Sequence, residues 1–164
     1  MKKFVTLMMT ASLLMLFSFS SFAQKNDFTG KWMLDRTKST PAENSPILVR
    51  LTVQVKADSL LTERVYDIGD GSEYPFTENV ACNGNEVKST IYEMPRSIKA
   101  TWSEPDKAFL VETTTTFNGQ NGTENFVSKE TWKADKGAKT LTISFKNTTS
   151  AGNSEGAFIF TRAE

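Results

Sequence analysis

Two glutamates, Glu78 and Glu130, are the side chains of this sequence best suited by type to move a proton, because it holds no histidine and a single cysteine, Cys82. The absence of histidine removes His-based triads, imidazole general bases and most metal sites. What remains is carboxylate or lysine chemistry, with Glu78 and Glu130 as an acid and base pair facing each other across an enclosed space. Together with Arg64 the same residues suit a different task. An arginine among aromatic side chains can take a carboxylate or another anionic head while apolar walls enclose the rest of a small molecule. The candidates for such a site are Arg64, Tyr66, Tyr74, Glu78, Trp102, Phe109, Thr113, Glu130 and Trp132. A plainer arrangement competes with both, in which Arg64 and Glu78 form an internal ion pair or reach water at the rim of the fold.

The elements that must position these residues are strands. From Ile47 onward apolar and polar residues alternate at period two, and no stretch sustains a helical period. Ile47, Val49, Leu51, Val53 and Val55 face one way, while Arg50, Thr52, Gln54 and Lys56 face the other. Further strands are read in LLTERVYDI, SEYPFTENVAC, VKSTIY, SIKATWS, AFLVETTTTF, ENFVSKETW, KTLTISF and AFIFTR, with GKWMLD at the front. The connections are KADS, GDG, NGNE, a Pro-Arg turn, EPDK, NGQNGT, ADKGA and a polar loop over residues 149–156. That makes about ten strands separated by Gly, Asn, Asp and Pro.

Hairpin pairing extends the argument, since residues opposite one another share a face. Pairing Val55 with Leu60 sets Val53 with Thr62, Leu51 with Arg64 and Val49 with Tyr66. Tyr66 then falls near Tyr74 and Arg64 near Phe76. The remaining expected pairs are Cys82 with Val87, Glu78 with Ile91, Ile91 with Ile98, Val87 with Trp102, Trp102 with Phe109 and Ala100 with Val111. Beyond them come Phe117 with Phe126, Thr113 with Glu130, Val111 with Trp132, Trp132 with Leu141 and Ser128 with Phe145. One apolar face runs through all of these, so the expected fold is all-β, an antiparallel up-and-down meander of about 8–10 strands closed into a barrel. The longest connection, residues 36–46, is placed to cover part of one mouth.

A Gly-x-Trp on the first strand, Gly30 and Trp32, followed by a longer first loop resembles the lipocalin and wider calycin group, including small secreted lipocalin-like proteins of bacteria. The strand count also fits the fatty-acid-binding relatives, without their helical lid. The resemblance implies that Trp32 closes one end of a lipocalin-like barrel, with a basic residue of the last strand, here Arg162, packed across its ring. It also implies a small hydrophobic or amphipathic ligand, with no cofactor.

Residues 1–23 carry Lys2 and Lys3, an apolar stretch and a small-residue ending at Ala23, which reads as a signal peptide cleaved before Gln24. No cysteine stands there to carry a lipid. The expected product is one domain over residues 24–164, periplasmic or secreted, monomeric and without a membrane anchor. The 19 basic and 19 acidic residues balance, and loss of Lys2 and Lys3 leaves a net charge of minus two. Nothing in that balance recruits nucleic acid. Cys82 reads as a small, buried apolar residue. The functional expectation is a non-catalytic protein holding a small, partly apolar ligand. The alternatives are a filled barrel that binds a protein or glycan through loops 118–122 and 149–156, and a carboxylate enzyme using Glu78 and Glu130.

Overall fold

Alternation such as Leu51, Val53 and Val55 places every second side chain on one surface of a strand, and a sheet so built must hide that surface. The computed structural model describes residues 27–163 except 44, 57, 120, 121, 136 and 138. The leader read over residues 1–23 lies outside the described residues. Among those described the chain forms no helix and ten strands: β1 (Gly30–Leu34), β2 (Ile47–Val55), β3 (Ser59–Asp67), β4 (Glu73–Ala81), β5 (Val87–Ile91), β6 (Met94–Ser103), β7 (Ala108–Gly119), β8 (Gly122–Ala134), β9 (Thr140–Thr149) and β10 (Gly152–Arg162). They make one antiparallel sheet in the order β4-β3-β2-β1-β10-β9-β8-β7-β6-β5. Because β1 pairs with β10, the meander curls into a nearly closed barrel whose free edges are β4 and β5.

Several expected pairs are present: Val55 with Leu60, Leu51 with Arg64, Tyr66 with Tyr74, Arg64 with Phe76, Trp102 with Phe109 and Ala100 with Val111. Others need correction. Tyr66 lies opposite Leu48 rather than Val49, because a bulge at Val49 interrupts the ladder between Leu48 and Arg50. A bulge inserts one residue and reverses the facing beyond it, so Leu48 enters the core at 1% exposure while Val49 is left half-buried.

The expected pairing of Cys82 with Val87 and of Glu78 with Ile91 is absent. No ladder joins β4 to β5 among the described residues. Instead Asn83 bridges Thr101, and the Gly84 N–H donates to the Ala100 carbonyl at 2.9 Å, so the chain after β4 pairs with β6. The next turn is Tyr92-Glu93, not Pro95-Arg96. Ile91 pairs with Met94 and Val87 with Ile98, four residues away from the expected partner Trp102. Tyr92 and Glu93 both take left-handed backbone, at φ of 47° and 68°. That is the conformation of a two-residue turn whose twist matches the strands, usually filled by Asn or Gly.

In the β7–β8 ladder Val111 meets Glu130, Thr113 meets Ser128 and Thr115 meets Phe126, a shift of two from the expected register. Trp132 likewise meets Ile143 rather than Leu141, and Ser128 meets Asn147. Both segments read as polar loops are mostly strand: Gly119 pairs with Gly122, and Gly152 with Thr149. All these shifts are even, so the inward face survives them.

The first loop does not span a mouth freely. Thr40 exchanges backbone hydrogen bonds with Ala157 at 2.8 and 3.0 Å, which lays the loop along β10. The Thr40 carbonyl and the Phe145 ring press so closely on Gly156 that a Cβ there would collide with both. The apolar core includes Trp32, Val53, Leu60, Ala100, Phe109, Trp132, Leu141 and Phe160, and also Leu48 and Phe145, which lie opposite Tyr66 and Glu130.

Candidate functional site

The interior divides along its length. At one end Trp32 is fully buried and donates its indole N–H to the Phe28 carbonyl at 2.9 Å. Phe28 in turn meets Trp102 and Phe109 edge to face, with ring centroids 5.9 and 5.0 Å away. The Arg162 guanidinium lies 4.5 Å over the Trp32 ring and donates to the carbonyls of Thr29 and Asp27. Gly30 makes this possible, since its φ is 153° and a Cβ would run into the Arg162 guanidinium. The residues read as a barrel-closing motif, Gly30, Trp32 and Arg162, thus sit together as a cation-π plug. Trp102 and Phe109, read as walls of a ligand site, belong to this packed end. The Trp102 N–H donates to Glu104.

Farther along, the inner face turns polar. Successive inward positions of β3 are Thr62, Arg64 and Tyr66, and the first two are buried. Arg64 reaches across the interior to β8 and grips Glu130 with both terminal nitrogens, at 2.9 Å each. Its guanidinium also lies 5.0 Å over the Trp132 ring, whose N–H donates to Glu130 at 2.7 Å. Burial alone would raise the Glu130 carboxyl, but the Arg64 charge and these hydrogen bonds outweigh it and hold the group below its usual value. For Arg64 burial works toward losing the proton, and Glu130, Tyr66 and Glu78 together more than offset it, so the guanidinium stays charged. Burial pushes the Tyr66 hydroxyl up.

A second ion pair stands beside the first. Arg96 on β6 donates to Glu78 on β4 at 2.6 and 3.4 Å, and to the Thr115 hydroxyl at 2.8 Å. Its guanidinium lies 5.8 Å from the Phe76 ring, and Phe76 stacks on Tyr66 at 5.8 Å. The two pairs are therefore linked through stacked aromatics. This pair also spans the gap in the sheet, where the Tyr92 hydroxyl adds a hydrogen bond to the Pro75 carbonyl at 2.9 Å.

Of the residues read as a ligand site, the structure gathers Arg64, Tyr66, Glu130 and Trp132 into one cluster and places Glu78 in the neighbouring pair. Thr113 is buried in the polar layer between Ile98 and Ser128. Tyr74 sits apart near the β3–β4 turn, donating to Asp70 and meeting Tyr92 edge to face. The internal ion pair weighed for Arg64 and Glu78 forms with other partners, Glu130 and Arg96. Arg96 and Thr62 were missed as site residues. Arg96 shares the alternation of Ile98, Ala100 and Trp102, and that signal was obscured by reading Pro95-Arg96 as a turn.

Two buried polar atoms, the Thr62 hydroxyl and the Arg64 Nε, have no hydrogen-bond partner among the described residues. Nor does any group of three His, Cys, Asp or Glu side chains assemble there in a way that could hold a metal ion. On the outer surface an open groove of about 640 Å³ is lined by apolar and charged side chains alike, among them Met33, Val49, Asp35, Arg36, Asp67 and Glu73. Comparison with protein-family models, with curated proteins and with solved structures finds no match, so what is established is the architecture, a nearly closed antiparallel barrel of ten described strands.

Proposed function

We propose that this protein is a lipocalin-like barrel, periplasmic or secreted, that holds a small, partly apolar molecule in its lumen without catalysis. The observation that carries the reading is the polar layer beyond the Trp32 plug. The charged groups of that layer answer one another, but the buried Thr62 hydroxyl and Arg64 Nε are answered by nothing among the described residues, and buried polar groups cost free energy unless each is answered. The closed end is compatible with the same reading, since Trp32, Phe28, Trp102 and Phe109 fill that end and a ligand would have to enter from the polar one. Glu130, held below its usual value and engaged by Arg64, is a poor proton donor, which supports binding over acid–base chemistry.

A second reading, a module that binds a protein or glycan on its surface, is favoured by the outer groove beside the Val49 bulge. Native mass spectrometry of protein purified from its source, with titration of the neutral dye Nile red, separates the two. A small-molecule adduct, or dye binding that changes Trp132 fluorescence, is expected. Protein that carries nothing and binds no dye would leave the surface reading in its place.

A further inference from the structure

We propose that the ligand presents an uncharged oxygen, an alcohol, ester or amide, to Thr62 and to the Nε of Arg64; this rests on the lumen reading above. The charges and the unmet hydrogen bonds of the inner face carry the inference. Arg64 and Glu130 are 2% and 10% exposed, and Arg96 and Glu78 are 9% and 6% exposed, so both pairs are enclosed. Each guanidinium already faces a carboxylate, with both terminal nitrogens of Arg64 on the two oxygens of Glu130. The four formal charges cancel. An anionic head would bring an unbalanced charge beside Glu78 and Glu130, and a cationic head would do so beside Arg64 and Arg96. Either would have to break a buried pair to be received.

The layer does lack partners for neutral groups. Thr62 and Arg64 occupy consecutive inward positions on β3, and the Thr62 hydroxyl and Arg64 Nε are both buried with no hydrogen-bond partner among the described residues. Arginine nitrogens can only donate, so the group that meets Nε must accept. A threonine hydroxyl can donate or accept, so the same oxygen or its neighbour can satisfy it. A hydroxyl, ester or amide oxygen meets both requirements without adding charge.

The test is competition for Nile red by decanol, decanamide, decanoate and decylammonium at neutral pH, which share one alkyl chain and differ only in the head. Decanol and decanamide are expected to displace the dye at concentrations at least about tenfold below those of either ion. Preference for an ion, or no difference across the series, overturns the inference while leaving the lumen reading standing. Failure of the dye itself to bind takes both away. Thr62→Val removes a hydroxyl that answers nothing in the protein, so it is expected to weaken decanol about five- to tenfold without lowering the unfolding midpoint. Unchanged decanol binding in that variant overturns the role given to Thr62.

Discussion

Where β1 meets β10 the barrel is joined by backbone, with Trp32, Met33 and Leu34 laddered to Arg162, Thr161 and Phe160, whereas between β4 and β6, beyond the single Asn83–Thr101 bridge that follows β4, it is held by side chains. Both junctions use an arginine over an aromatic ring, Arg162 on Trp32 and Arg96 on Phe76. They differ in what the arginine's hydrogen bonds answer. Arg162 donates to the carbonyls of Thr29 and Asp27, which precede β1, and adds to a ladder that exists beside it. Arg96 stands in for the missing ladder by pairing with Glu78. A barrel can therefore be closed by hydrogen bonds along its length or by a few charges at one height, and only the second kind can be undone by a single change of charge.

The comparison can be broken first at the laddered junction. Trp32→Ala removes a fully buried ring and the seat of Arg162, and is expected to cost about 3–5 kcal/mol in urea unfolding. At the side-chain junction Glu78→Leu leaves Arg96 with the Thr115 hydroxyl but no counter-charge, with an expected loss of about 2–4 kcal/mol. Adding Arg96→Met should recover most of it, because the cost lies in the stranded charge. If the double variant is no more stable than the single one, closure depends on the pair itself.

The third and smallest effect is in acid. Glu130 has its folded value below the ordinary 4.5, so its contribution is fully present above the unfolded value and is lost as pH falls through the folded one. The urea midpoint should therefore decline as pH falls below the ordinary carboxylate value of 4.5, and Glu130→Gln should flatten that decline. A wild-type slope retained in the variant would assign acid sensitivity to surface carboxylates such as Asp35, whose hydrogen bonds to Thr37 and Lys38 lower it to about 2.

The barrel was legible in the sequence because side-chain facing depends only on whether a register error is odd or even. Shifts of two at Glu130 and Trp132, and of four at Val87, left their facing intact. Val49 was the exception, because a bulge is a single-residue event and its alternation looks the same as that of Val53. The turn at Tyr92-Glu93 was hidden for another reason. Neither residue is a usual choice at positive φ, while Pro95-Arg96 looks like a turn and lies in a strand. Pairings across the interior were beyond local pattern altogether. Arg64 and Glu130 sit on strands that share no ladder, so no hairpin arithmetic could join them.

The junction of β1 with β10 has one more consequence, for connectivity. The Ala163 N–H donates to the Lys31 carbonyl at 2.8 Å and Arg162 reaches Asp27, so the two ends of the described segment lie side by side. Were they joined and the chain cut between β4 and β5, the new order would run from β5 through β10 and β1 to β4. Every laddered neighbour would then also be a neighbour in sequence, and the gap in the sheet would coincide with the chain ends. In circularly permuted form this nearly closed barrel is a simple meander.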